Sequence, residues 1–258
     1  MTEVIYICSP DYWRHLFLSL RTLYISGTSF DKVKIMLTSK KKPKWKFDDN
    51  KVTVERVPNI GDGFWMKNKI HMCKSKAETV IFLDTDTMVL NPIDEVYKNC
   101  NKDLMARRAP STRTKYFYKE KWKKTIKYYG CERYPYLSSG FVIFQNGSHK
   151  RLRKTWKEIT ERILNGEGKD MVTRHANQEA FSISACLEGL DLEEMDDRHH
   201  KYAMIGEEPQ NPVVYHLGTP NFYYYYLKAE KKFDLKKKES PIRRPNFLRF
   251  HRIKNRAY

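Results

Sequence analysis

None of the five cysteines is spaced C-x-x-C, and they are scattered at Cys8, Cys73, Cys100, Cys131 and Cys186. That spacing suggests neither a structural zinc site nor a disulfide framework, and it fits a reducing compartment. No run of apolar residues approaches the roughly 18 that a membrane span requires. The chain passes from Met1-Thr2-Glu3 straight into Val4-Ile5-Tyr6-Ile7-Cys8, without the basic and long apolar segments of a secretory leader. The expected location is the cytoplasm, with peripheral attachment to a membrane or to DNA left open. There is no internal repeat. Acidic residues are scarce, 31 against 49 Lys and Arg, for a formal net charge of +18.

The surplus is local. Lys40 to Lys46 carries five lysines and no acid, Arg113 to Arg133 eight basic and two acidic residues, and Lys228 to Arg256 twelve basic and three acidic. Together these segments exceed the net charge of the chain, so the remainder is close to neutral. Three such runs favour a polyanionic partner. Apolar residues make up 40% of the sequence and aromatics 14%, enough for a sizeable core.

Val4 to Cys8 reads as a strand, followed by Ser9-Pro10-Asp11 and a helix over Tyr12 to Ile25, with Trp13, Leu16, Phe17, Leu20, Leu23 and Tyr24 at helical spacing. Val33 to Leu37 and Val52 to Val57 are further strands. Met66, Ile70 and Cys73 mark a helix running to about Lys76. Thr79 to Leu83 is a continuous apolar strand, buried on both faces by its pattern, and it runs directly into Asp84-Thr85-Asp86. Helices are expected at Pro92 to Tyr97, His149 to Leu164 and Ala176 to Cys186, and strands at Asp103 to Ala106, Tyr136 to Phe144 and Val213 to His216. The alternation argues for an α/β fold with a mostly parallel sheet covered by helices. Residues 1–220 form the expected catalytic domain, with a basic aromatic insertion at 110–136, and 221–258 a basic aromatic C-terminal extension.

Two aspartates one residue apart at the end of a buried strand are costly unless a positive charge holds them. A hard divalent cation, Mn2+ or Mg2+, does so while sharing its shell with substrate phosphates. The apolar context strengthens the motif, with Ile81-Phe82-Leu83 before it and Met88-Val89-Leu90-Asn91-Pro92-Ile93 after it. In parallel sheets ligands bind beyond the carboxyl ends of the strands, where both Ser9-Pro10-Asp11 and Asp84-Thr85-Asp86 lie.

On these residues the chain resembles the glycosyltransferases of the GT-A fold, a Rossmann-like mostly parallel sheet. Among them it is similar to the glycogenin and bacterial galactosyltransferase family, glycosyltransferase family 8. The closest stretch runs from Trp65 to Val96. The resemblance implies a nucleotide-sugar donor, Asp84 and Asp86 as metal ligands, and Lys69 near the donor. Ile5 to Tyr12 resembles the family's first strand and uridine-binding turn, implying Ser9, Asp11 and Tyr12 as nucleotide contacts, with Thr85 beside the donor. Ser138-Ser139-Gly140 resembles the small-residue strand where the sugar approaches the backbone, with Ser138 in place of Asn, and implies Ser139 and Gly140 as donor contacts. Asn177-Gln178 resembles the sugar-facing Asp-Gln pair, with Asn in place of Asp. Val214-Tyr215-His216-Leu217-Gly218 resembles the late strand that supplies a third ligand, His216. The family's following Lys-Pro-Trp is replaced by Thr219-Pro220-Asn221, and Lys228 is an alternative cation for the diphosphate.

The implied reaction is sugar transfer with retention of configuration, in which Gln178, Asn177 and Lys69 act at the reacting centre. Haloacid-dehalogenase-like phosphatases also place D-x-D after a buried strand, but their pattern wants Thr or Val where Met88 stands. Basic segments interleaved with aromatics, such as Lys121-Trp122-Lys123-Lys124, suggest a nucleic-acid-binding protein instead, yet leave the D-x-D strand without a purpose. The acceptor stays open between an anionic membrane surface and DNA with a modified, flipped-out base.

Overall fold

The computed structural model describes residues 1–41, 49–61, 65–109, 115–167, 176–203, 205–207, 209–218, 222–235, 240 and 242, with only the backbone of residues 65 and 115–119. Most of the lysine run at 40–46 and the tail from 243 onward lie outside the described residues.

Seven strands form one sheet in the order β3 (Val52–Arg56), β2 (Lys32–Leu37), β1 (Thr2–Cys8), β4 (Thr79–Leu83), β7 (Leu137–Phe144), β6 (Leu104–Arg108) and β8 (Leu192–Met195). β7 runs antiparallel to both its neighbours. The other four pairings are parallel, as the spacing of the strands in the sequence predicts. Three shorter strands, β5 (Thr87–Val89), β10 (Val214–His216) and β9 (His200–Tyr202), make a second sheet.

The central strands are apolar without alternation because both faces of the sheet are covered. Ile5 and Ile7 of β1, Val80 and Phe82 of β4, and Val142 and Phe144 of β7 point to one side. There they meet α4 (His149–Leu164) and α5 (Ala176–Leu187), which contribute Leu152, Trp156, Ile159, Phe181 and Ile183. Val4, Tyr6, Ile81, Leu83, Phe141 and Ile143 point to the other side, against Leu16, Leu20 and Leu23 of α1 (Trp13–Ile25). The short α2 (Asp94–Tyr97) closes this layer through Tyr97.

The chain leaves β1 for β2 on one flank and returns to β4 on the other. That reversal opens a crevice at the carboxyl ends of β1 and β4, the usual ligand position in such sheets.

Three features depart from expectation. Residues Trp65–Lys74 are wound as a 3-10 helix, not an α-helix. On its three-residue repeat Lys69 and Met72 share one side and Ile70 and Cys73 another, and all four are buried. Cys131 and Cys186 form a disulfide across 55 residues, their Cα atoms 6.4 Å apart, a pairing set by tertiary proximity that spacing alone does not reveal. The insertion contains a helix, α3 (Lys115–Tyr128), whose Trp122 indole donates to the Tyr134 carbonyl at 2.6 Å.

The tyrosines after Pro220 are helical too. In α6 (Phe222–Lys232) Phe222, Tyr226 and Ala229 are buried with Leu18, Met88, Leu90, Tyr215 and Leu217, so this part of the extension packs on the core. No described helix is long and apolar enough to cross a membrane.

Candidate active site

The turn after β4 is held from below. Thr87 Oγ1 donates to the Asp84 carbonyl at 2.7 Å and lies 3.1 Å from Ser19 Oγ of α1, which itself donates to Tyr6 OH at 3.1 Å. The Thr87 and Leu217 amides close the turn on the Asp84 and Asp86 carbonyls, at 3.2 and 2.9 Å. With its backbone pinned in this way, the loop directs both aspartates into the crevice.

Antiparallel pairing sets the start of β7 beside Asp84, whose amide donates to the Gly140 carbonyl at 2.8 Å. Lys69 reaches in from the 3-10 helix. Its Nζ donates to Asp84 Oδ2 at 2.6 Å, to the Ser139 carbonyl at 3.2 Å and to Ser139 Oγ at 3.4 Å. Asn177, in the first turn of α5, donates from Nδ2 to Ser139 Oγ at 3.3 Å, while its buried Oδ1 has no partner among the described residues.

From the small sheet, His216 brings Nε2 to 3.3 Å from Asp86 Oδ1. Only glycine fits between these groups: a Cβ on residue 140 would lie 2.7 Å from His216 Nδ1 and 3.1 Å from Asp84 Oδ2.

Burial is the largest influence on both carboxylates and works against their charge. At Asp84 it prevails, raising the carboxyl above its usual range despite Lys69. At Asp86 the neighbouring His216, with Lys69, outweighs burial and holds the carboxyl at about 2. Burial opposes charge on His216 as well, but Asp86 and Asp84 raise it above the ordinary histidine range. His200 is held well below that range by burial and by positive neighbours, so it is neutral.

One ligand atom from each of Asp84, Asp86 and His216 lies within 4.8 Å of the others. Ligands around one octahedral Mg2+ stand roughly 3 to 4 Å apart, so small side-chain rotations bring the set onto a single ion. Two carboxylates and an imidazole suit Mn2+ or Mg2+, and the residues present fit such an ion.

Seven of the residues singled out in the sequence therefore meet here: Lys69, Asp84, Asp86, Ser139, Gly140, Asn177 and His216. Thr85 is buried in the turn itself. Gln178 follows Asn177 in α5 and is half-buried. Ser9, Asp11 and Tyr12 stand at the end of β1, where residues Pro10–Tyr12 form a 3-10 turn with Ser9 at its head. The Tyr12 ring lies 5.4 Å from that of His15, which in turn packs on Phe222 and Tyr223 of α6. Lys228 is exposed on α6.

Three residues at this centre were not anticipated. Tyr202 lies against the His216 ring and His200 against its Nδ1 edge, while the Arg107 guanidinium covers Tyr202. His200 and Tyr202 belong to a three-residue strand in a polar stretch, where no periodicity marks them, and Arg107 lies one residue past the strand expected at Asp103 to Ala106.

The profile of a family described as the Rhodobacterales glycosyltransferase domain matches residues 45–178, just over half of the chain. No curated protein sequence matches. Among solved structures, the galactosyltransferase LgtC in complex with donor and acceptor sugar analogues aligns with a TM-score of 0.66 at 11% identity, over 96% of this chain and 99% of that one. The glycosyltransferase GlyE of Streptococcus pneumoniae TIGR4 aligns at 0.59 and 13% identity, over 93% and 66%. Mouse xyloside xylosyltransferase 1 aligns at 0.54 and 9%, over 86% and 99%. At these identities the likeness carries the fold alone, and that fold is the α/β GT-A arrangement that the family resemblance implied.

Proposed function

Because this chain belongs to the Rhodobacterales glycosyltransferase domain family, we propose that it transfers a sugar from a uridine nucleotide-sugar donor to an acceptor hydroxyl, with a divalent cation held by Asp84, Asp86 and His216. The observation that carries this reading is the convergence of those three side chains within 4.8 Å at the carboxyl ends of the strands. The ion, when bound, supplies Lewis-acid neutralisation of the charge that builds on the departing nucleoside diphosphate.

The protein groups orient and balance. Lys69 offsets Asp84 and links it to Ser139, so one cation fixes both the ligand carboxylate and the strand facing the sugar. Gly140 leaves the space in which donor and ligands approach each other. Asn177 Oδ1, buried and without a partner among the described residues, is an acceptor available to a sugar hydroxyl. The sugar-facing pair Asn177-Gln178 carries amides, which suits stabilisation of an oxocarbenium-like state with retention better than attack by a carboxylate. LgtC, the structural relative crystallised with donor and acceptor sugar analogues, supports a sugar acceptor for this site as well.

Donor hydrolysis is the direct test. Turnover of a uridine nucleotide sugar is expected with Mn2+ or Mg2+ and lost in excess chelator, and full turnover in chelator overturns the metal role. Uridine nucleotides should raise the melting temperature most; a guanosine or thymidine nucleotide raising it more would remove the uridine assignment.

The net charge of +18 favours a second element of this reading, an acceptor that is polyanionic or carried on a polyanionic surface, DNA or an anionic membrane. Affinity for duplex DNA or for anionic vesicles should then fall linearly with the logarithm of salt, on a log scale, while donor hydrolysis changes little. Transfer to a neutral acceptor at full rate in high salt removes this element.

A further inference from the structure

His216 is the one proposed ligand that lies outside the loop after β4, and its ring is gripped by β9. The parallel pairing of β9 with β10 sets Tyr202 opposite His216 and His200 opposite Val214. Tyr202 lies nearly parallel to the His216 ring, at 15° with centroids 4.7 Å apart. His200 Nε2 stands 3.3 Å from His216 Nδ1.

Both gripping residues are themselves fixed. Tyr202 OH bonds Ser138 Oγ, which also accepts from the Gly140 amide at 3.3 Å. The Arg107 guanidinium lies 5.4 Å from the centre of the Tyr202 ring and donates to the His200 carbonyl at 2.6 Å, and it is held in turn by Asp197 at 2.5 Å. Phe141 meets the His200 ring edge-on at 5.5 Å.

An imidazole that offers the lone pair of Nε2 to an ion carries its proton on Nδ1 and needs an acceptor there. His200 Nε2 is in position to be that acceptor. Its own proton then sits on Nδ1, a buried atom with no partner among the described residues. An unpaired buried donor carries a free-energy cost, and a site that tolerates it gains something else from that ring.

We propose that β9 is the positioning element of the metal site: His200 selects the His216 tautomer that presents Nε2 beside Asp86, and Tyr202 sets the plane of the ring. The proposal rests on the reading of Asp84, Asp86 and His216 as metal ligands. It makes His200 and Tyr202 positioning residues and joins the small sheet to the sugar-facing strand through Ser138.

The test is Mn2+ binding to the purified protein without donor, read as the loss of the free-ion electron paramagnetic resonance signal, with thermal melts in chelator to verify folding. Asp86→Ala should abolish binding. His200→Phe should weaken it by about ten- to a hundredfold, the range for partners behind a ligating histidine. His200→Gln, which restores an acceptor, should recover most of that loss. Tyr202→Leu should weaken binding more than Tyr202→Phe, which keeps the ring and loses only the bond to Ser138.

If wild type and Asp86→Ala bind Mn2+ alike, the metal reading fails and the proposal with it. If Asp86→Ala loses binding while folded His200→Phe binds as tightly as wild type, the ligands stand and the positioning role is overturned. Should His200→Phe fail to fold, equal affinities in Tyr202→Leu and Tyr202→Phe overturn it in the same way.

Discussion

Asp84 and Asp86 stand one residue apart, yet each is compensated by a different kind of base. Asp84 faces the large sheet and is held by Lys69, which belongs to a buried network with Ser139 and, through it, Asn177. Asp86 faces the small sheet and is held by His216, a group that can itself ligate an ion. An ammonium has no lone pair to offer an ion, so the lysine keeps its place beside Asp84. The histidine gives up its charge when it coordinates, so the Asp86 side is the one on which an ion replaces a proton. One half of the site is therefore a standing charge balance and the other an exchangeable one, and the two should fail differently.

The largest effect is expected from the exchangeable half. Asp86→Ala removes a proposed ligand at a strand end and contributes little to packing. Metal-dependent turnover should fall by at least about a hundredfold, beyond the usual loss for partners behind a ligand. The melting temperature in chelator should stay close to wild type. If the variant unfolds instead, Asp86 is part of the structural turn, and the contrast between the two aspartates disappears.

The standing half should fail in stability. Lys69→Met leaves Asp84 partly buried without its cation, and breaking one partner of such a pair costs on the order of 3 kcal/mol. The expected drop in melting temperature is roughly 5–10 °C, larger in chelator than in Mn2+, because an ion restores positive charge beside the carboxylate. Lys69→Met combined with Asp84→Asn should be more stable than Lys69→Met alone. A double variant as unstable as the single one would assign the loss to packing around the lysine stem.

His216→Ala sharpens the other side. With two carboxylates left, the site should still take Mn2+, but the half-saturating concentration for donor hydrolysis should rise by at least about a hundredfold, no less than for the partner behind the ligand, equal to about 2.8 kcal/mol of binding. An unchanged metal titration would make His216 a structural histidine and leave Asp86 with no exchangeable partner.

The halves also differ in how legibly the sequence records them. Thr79 to Asp86 is a continuous apolar strand running into two carboxylates, and Ser138 to Gly140 are small residues in a strand, so each signal is contiguous. In α4, Leu152, Trp156, Ile159 and Ile163 recur at helical spacing and are all buried, so periodicity alone marks the helix. Lys69 was legible only through its resemblance to a family helix, and its winding is 3-10. By contrast, β9 is three residues within Arg198-His199-His200-Lys201-Tyr202, too short for any period and polar at every step. Its burial comes from pairing with β10, twelve and more residues later, and from Phe141 and Arg107 of the large sheet. The Cys131–Cys186 pair is of the same kind, two residues brought together only by the packed fold.

The smallest expected effect tests whether the two halves move as one unit. Thr87 belongs to neither base: its hydroxyl donates to the Asp84 carbonyl and sits 3.1 Å from Ser19 Oγ of α1. Thr87→Val keeps the branched shape that packs in β5 but removes the hydroxyl, leaving a buried carbonyl with one partner fewer. A net loss of about 1 kcal/mol in stability follows from the usual worth of one such bond. If the turn carries both aspartates rigidly, the affinity for Mn2+ and the stabilising effect of Lys69 should weaken together by a few-fold, since both depend on where the same backbone segment sits. The measurement is a Mn2+ titration of Thr87→Val beside a double-mutant cycle with Lys69→Met. Weakened metal binding with an undiminished Lys69 contribution would mean that Asp86 can shift while Asp84 stays fixed, and the turn would then be a hinge between the halves.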